Sequence, residues 1–322
     1  MIRLRYIHVV LTVLTALLAA CTADDRELYS TGEPIHEPVQ VTIDSPNMSV
    51  TRSTVSTGNT WAGNEKIVLV VGNKVGNGDT PASQTDHVYT VSGEGTSRPL
   101  SPFNIANTNY WTSTTEKKKI VKAWSYGTGI VPTLSNHAVG SYTLPTPQTD
   151  TSGELLYSPG AASKLYTASP NTFALTFYHQ LAKVVFNVKA DVNVSVTGAT
   201  MLNIPTTATL TTPTTAYVNG WTSLGTLATV TPVGGTTIKT AGPSTTATYS
   251  AVLIPGDYKG KTLLKLVTAN GNYSYTVPSE SAFNLLPGKC YTFTIVIKNK
   301  VMLGTVSVTE WVSNSATNLV FQ

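Results

Sequence analysis

The chain has 322 residues and a formal charge of +4, and only 12% of its side chains are charged, against about 25% in a typical soluble domain. Threonine, serine, valine and tyrosine fill the space, and residues 192–238 carry no charge, a composition that favours pleated strands over helices. The small positive excess is not gathered into a stripe, which argues against nucleic acid as a partner and for a secreted, sheet-built protein.

The N-terminus opens with Met1-Ile2-Arg3-Leu4-Arg5, continues through apolar residues 6–18 and meets Cys21 after Ala19-Ala20. That is the layout of an export leader over residues 1–20, too short to stay in a bilayer as a spanning helix. A small-residue site ending on cysteine resembles the lipobox of bacterial lipoproteins. The resemblance implies removal of the leader and acylation of Cys21. At about 0.8 kcal/mol per buried methylene, several acyl chains hold a protein firmly on a membrane. Thr22-Ala23-Asp24-Asp25 sets an acidic pair just after the cysteine, similar to the export tag of surface-displayed lipoproteins in some Gram-negative bacteria. With Cys21 acylated, Cys290 has no intrachain partner, so packing and sheet hydrogen bonds must supply the stability.

Residues 21–38 are polar and carry Gly32, Pro34 and Pro38, which reads as a flexible tether. Val39-Gln40-Val41-Thr42-Ile43 alternates apolar and polar, as a half-buried strand does. Residues 66–71 form a continuous apolar run, expected as a central strand of a covered sheet that ends at Gly72-Asn73. Residues 75–102 read as long loops around one hairpin. Lys117-Lys118-Lys119 is expected to be a solvated strand edge or turn, with a strand running on through Tyr126.

A small, polar stretch over residues 158–171 marks the expected boundary between a 39–170 domain and a 171–322 domain. The second half opens with Phe173-Ala174-Leu175-Thr176-Phe177, followed by a strong strand at Lys183-Val184-Val185-Phe186-Asn187-Val188-Lys189. Short strands then alternate with turn signals to the end, and no convincing amphipathic helix interrupts them. About 300 mature residues suffice for two domains of ordinary size. The spacing argues for an all-β protein of Greek-key sandwiches.

Four places carry a family resemblance. They are Trp61 with Ile67-Val68-Leu69-Val70-Val71, and Tyr110-Trp111 with Val121-Lys122-Ala123-Trp124-Ser125-Tyr126. The third is Leu155-Leu156-Tyr157 with Leu175-Thr176-Phe177-Tyr178-His179-Gln180-Leu181-Ala182-Lys183-Val184-Val185-Phe186. The fourth is Leu286-Pro287-Gly288-Lys289-Cys290-Tyr291-Thr292-Phe293-Thr294-Ile295 with Val306-Ser307-Val308-Thr309-Glu310-Trp311. In this order the chain resembles the fimbrillin family, lipoprotein subunits of type V pili. The resemblance implies two tandem transthyretin-like β-sandwiches and a role in adhesion or pilus assembly, with other pilus subunits, the outer membrane and a host or bacterial surface receptor as partners. It also implies proteolysis after an arginine that follows the first strand, and Arg52 stands at the matching place. Arg26 is the rival site, but a cut there removes only tether. Losing a strand leaves unpaired N–H and C=O groups beside an apolar slot, which an added strand satisfies. The residues past Trp311, ending in Leu319-Val320-Phe321-Gln322, read either as such a donated segment or as an ordinary last strand. Stalk, anchor and tip subunit all stay open.

No zincin, nucleophile-elbow, phosphate-loop or Cys-x-x-Cys pattern occurs. The chain therefore offers no candidate catalytic, cofactor-binding or metal-binding residue, and an enzyme is not expected. His36, His87 and His137 are read in polar loops, and His179 as a buried histidine bonded to backbone. Asp86, Glu94, Asp150, Glu154, Asp257 and Glu280 leave a glycosidase formally open. The competing reading is a surface lipoprotein that binds glycans through Trp61, Tyr110, Trp111, Trp124 or Trp221. That reading needs exposed aromatic faces, whereas strands of period two bury most of them.

Overall fold

The computed structural model describes residues 37–43, 61–74, 83–95, 97–111, 118–148, 154–160, 172–190, 194–211, 213, 216–217, 220–222, 224–234, 242–268, 271–280, 282–297, 301–310 and 316–319. Among them the regular structure is strand, apart from one short 3-10 turn at Ile105–Asn107. The expectation of an all-β chain holds.

Alternating apolar side chains build an eight-stranded sheet from the N-terminal part of the chain. Its order is Thr172–Leu175, Gln40–Ile43, Arg98–Pro102, Ser83–Val91, Lys66–Lys74, Lys118–Ser125, Leu156–Ser158 and Tyr178–His179. The apolar run at Lys66–Lys74 is central, as expected, and pairs antiparallel on both sides, with Leu69 opposite His87 and Ala123. Both faces of this sheet are covered. Ile67, Leu69, Val71, Val121, Ala123 and Leu156 enter one core, while Val70, Trp124, Leu155 and Tyr157 enter the other. A strand wrapped in protein on both faces reads as continuous apolar sequence rather than as strict alternation.

The C-terminal part forms a six-stranded sheet around Ala182–Ala190, which pairs antiparallel with Gly242–Leu253 and parallel with Lys289–Ile297. Val301–Glu310 follows, with Ala316–Leu319 on the edge. A four-stranded sheet holds Leu227–Val230, Val196–Pro205, Thr262–Thr268 and Gly271–Thr276. The larger core fills the space between these sheets with Phe186, Phe293, Val184, Leu264 and Tyr258.

The expected change of domain at 170/171 is not where strand pairing changes. Thr172–Leu175 lies in the N-terminal sheet, parallel to Gln40–Ile43, and Phe173, Leu175 and Phe177 fill the N-terminal core. The first strand of the C-terminal sheets is Ala182–Ala190. Traffic also runs the other way, because Ser141–Thr143 pairs with Thr207–Leu210. Two histidine and lysine expectations change as well. His87 sits within the Ser83–Val91 strand rather than in a loop, and Lys119 is 1% exposed rather than solvated. The alternation that buries Val121 and Ala123 points residue 119 inward too. There its ammonium donates to Asn73 Oδ1 at 2.8 Å and sits 5.4 Å from the centre of the Trp111 ring.

Candidate functional site

Val39, Val41 and Ile43 alternate with Gln40 and Thr42, so one face of this segment is aliphatic and the other polar. The aliphatic face is 4%, 3% and 0% exposed and belongs to the N-terminal core. Burying three such side chains contributes roughly 5–9 kcal/mol at about 1.5–3 kcal/mol each. The strand is interior to its sheet. Gln40, Val41, Thr42 and Ile43 run parallel to Thr172, Phe173, Ala174 and Leu175, and Thr42 and Ile43 lie antiparallel to Pro99 and Arg98. Just before it, Glu37–Pro38 pairs with Tyr110–Trp111, and the Val39 N–H donates to the Asn109 carbonyl at 2.8 Å.

The walls of this seat are stiff. Trp111 stacks on Phe173 with ring centres 6.3 Å apart, and Trp61 meets Phe177 edge-on at 5.4 Å. Asn109 is held by its N–H donating to the Tyr89 hydroxyl at 3.2 Å, and its side-chain amide lies 3.0 Å from His87 Nε2. Burial first, and the Lys119 charge with it, keep His87 below the ordinary histidine value, against the opposing pull of the Asn107 backbone and Asp86. Glu65, 1% exposed, accepts from the N–H groups of Ala62, Gly63 and Asn64 at 2.6, 2.9 and 3.0 Å. That clamp holds the turn next to Trp61. Gly63 has φ +87°, and a Cβ there would meet the Gly93 backbone at 2.8 Å, so the turn accepts only glycine at this place.

The far end of the chain presents a second strand of interest. Val301–Glu310 is paired on both sides, by Lys289–Ile297 and by Ala316–Leu319. Ala316–Leu319 ends its sheet, with Leu319 opposite Val306.

Cys21, Arg26, His36, Arg52, Asp150 and Trp311 lie outside the described residues. Of the aromatic candidates for a glycan platform, Trp61, Trp111 and Trp124 are buried in the two cores. Tyr110 and Trp221 are half-buried, Trp221 packing edge-on against Tyr142 at 6.5 Å. His179 is buried as expected, but its partner is a carboxylate. Its Nδ1 lies 2.9 Å from Glu154 Oε2, with the two side chains 4% and 3% exposed. Sequence spacing gave no signal for that pair, because the two residues come from separate segments that only the sheet brings together. The remaining acids are dispersed. Asp86 faces His137 at 2.8 Å, and Asp257 accepts from the backbone of Phe283 and Lys259, which holds its carboxyl below the ordinary value. Among the described residues, no cluster of three or more His, Cys, Asp or Glu side chains could hold a metal ion.

A family model described as Fimbrillin-like matches residues 51–311. No curated protein matches the chain in sequence. A protein from Bacteroides uniformis, described as a candidate cell adhesion protein, superposes with a TM-score of 0.59 at 17% identity, over 86% of this chain and 98% of that one. A similarly described protein from Bacteroides ovatus gives 0.57 at 16% identity, over 87% and 100%. The tip fimbrial protein Mfa3 from Porphyromonas gingivalis gives 0.43 at 9% identity, over 85% and 99%. The first two likenesses establish a shared fold. The matched family region begins beyond the Gln40–Ile43 strand and ends before Ala316–Leu319.

Proposed function

Because this chain belongs to the fimbrillin-like family, we propose that it is a structural subunit or adhesin of a cell-surface pilus that assembles by strand exchange after proteolysis. One observation carries this reading. The Gln40–Ile43 strand is a fully seated, interior member of the N-terminal sheet, yet it precedes the residues that define the family. Arg52 lies in the sequence between it and the next described residue, Trp61. A cut there would leave the strand held by non-covalent contacts alone.

In this reading the leader delivers the protein to the outer membrane, acylation of Cys21 anchors it, and residues 21–38 form the tether. The same reading divides the chain into two transthyretin-like sandwiches, with the boundary moved from residue 170 to near residue 180 because Thr172–Leu175 pairs in the N-terminal sheet. Departure of the first strand leaves a slot lined by Trp111, Phe173 and Leu175, together with unpaired backbone groups on both flanks. A strand from another subunit satisfies both. The donor lies at the C-terminus. Residues 306–309 are locked between two neighbours, so the described segment that leaves at least cost is the edge strand Ala316–Leu319. Thr317, Leu319 and Phe321 recur at the same period as Val39, Val41 and Ile43. Such a head-to-tail contact does not close on itself, and it propagates into a filament.

The experiment is treatment of purified protein with an arginine-specific protease. Wild type is expected to form oligomers that resist dissociation, while Arg52→Ala stays monomeric. Wild type cut cleanly after Arg52 that stays monomeric with purified sibling subunits present would overturn the strand-exchange reading. Anchoring has its own check: Cys21→Ser should abolish palmitate labelling and detergent-phase partitioning, and undiminished labelling would refute it.

A further inference from the structure

Away from the strand seat, the segment that follows the Lys118–Ser125 strand leaves the N-terminal sheet and docks on the C-terminal half. Ser141–Thr143 pairs with Thr207–Leu210, and the Gln148 side chain bonds both backbone groups of Val252, at 2.7 and 2.9 Å. Between the start of this segment and its docked end lies a pocket of about 450 Å³, within the range of small-molecule sites. Tyr126 and Tyr142 line it with ring centres 6.1 Å apart at 64°. Thr128, Thr133, Ser135, Ser141 and Thr143 supply hydroxyl-bearing side chains, and Ile130, Leu134 and Pro145 complete the lining.

The pocket has a built lip. Ser135 and Ala138 bond each other's backbone at 2.8 and 3.2 Å, and the two residues between them, Asn136 and His137, take φ values of 50° and 63°. This is the tight two-residue turn that matches strand twist. His137 Nδ1 then reaches Asp86 Oδ1 of the Ser83–Val91 strand at 2.8 Å, tying the lip back to the N-terminal sheet. Ile130 stands 64% exposed at the rim.

The lining selects a chemistry. It contains no ionisable group other than the two phenols, and burial keeps both of these above the ordinary tyrosine value, hence neutral. A charged guest would lose water without gaining a counter-charge. A wholly apolar guest would strip water from the Ser and Thr hydroxyls of the lining, of which that of Thr128 already accepts from the Ile130 N–H at 3.2 Å, and would leave their remaining hydrogen bonds unmade. A molecule with an apolar C–H face and a hydroxylated edge satisfies the half-buried Tyr126 ring and the Ser/Thr hydroxyls together, while Tyr142, 5% exposed, stays in the core behind it. We propose that this pocket binds a short, uncharged saccharide. The site is separate from the strand slot and does not depend on the assembly reading.

The test uses the full-length, uncut protein on an array of neutral oligosaccharides built from glucose, galactose, mannose and N-acetylglucosamine, beside sialylated and sulfated counterparts and unrelated peptides. Hits are then followed by saturation-transfer NMR. Gly140 lines the pocket, and a Cβ added there meets nothing within 4 Å, so Gly140→Phe should fold normally while blocking it. The expected result is binding of at least one neutral saccharide that weakens tenfold or more in Gly140→Phe, and again in the double variant Ser141→Ala with Thr143→Ala. Lys259→Ala, on a remote exposed turn, should leave it unchanged. Absence of any neutral saccharide hit, binding confined to charged glycans or to peptides, or binding untouched by Gly140→Phe would each overturn the proposal.

Discussion

Glu65, Lys119 and the Glu154–His179 pair are charged or titratable groups inside an all-β core, and each is settled by a specific partner. Glu65 satisfies three backbone N–H groups, so Glu65→Ala strands them at about 1–3 kcal/mol each if they stay buried. A loss of several kcal/mol in chemical denaturation checks this. Removing one member of a buried polar pair leaves the other without its partner, which costs more than replacing both with apolar groups. Glu154→Ala should therefore destabilise more than the double change of Glu154→Leu with His179→Leu. Burial also holds the phenols of Tyr142 and Tyr258 up and pushes that of Tyr157 up to about 12. The unfolded chain releases these protons near pH 10, so stability is complete below about pH 10 and falls as pH rises toward about 12. Denaturation midpoints taken on either side of pH 10 read this directly. None of these partners was legible in the sequence. A lysine run looks solvated, and only strand phase shows that residue 119 points inward with Val121 and Ala123.

At the scale of elements, apolar patterning located the strands well: alternation for Gln40–Ile43, a continuous apolar run for Lys66–Lys74, and a strong strand at Ala182–Ala190. It did not say which sheet each would join. Thr172–Leu175 has the same period-two pattern as any half-buried strand, and it joins the first sheet because Phe173 and Leu175 complete the core opened by Trp61 and Trp111. The strand seat gains a property from that pairing. Its occupant has a parallel neighbour on one flank and an antiparallel one on the other, so an incoming strand of either direction still makes one pairing of each kind. What the seat does select is side-chain phase, because a slip by one residue would bury the polar face. Val41→Asp should accordingly unseat the strand in the uncut protein, seen as faster hydrogen exchange at residues 40–43 and 172–175 with residues 182–190 still protected. Thr42→Val, on the outer face, should leave exchange unchanged.

At the scale of the whole molecule, the two cores lie on opposite faces of the N-terminal sheet, and the chain crosses between its halves in both directions. Tyr157 donates to the Pro213 carbonyl at 3.4 Å, Gln180 donates to Ala216 at 2.9 Å, and Gln148 is bonded to Val252. Loss of the first strand therefore opens one core and leaves the other, with its junction, closed. The proposed strand exchange requires that separation. The most direct measurement is a reversible lock on the seat. Thr42 and Ala174 are paired across parallel strands, at a spacing a disulfide can bridge. With Cys21 and Cys290 replaced by serine, Thr42→Cys with Ala174→Cys should stay monomeric when oxidised and cut after Arg52, then form head-to-tail oligomers once reduced. Assembly of the oxidised, cut protein at the same rate as the reduced protein would contradict the claim that the strand must leave its seat.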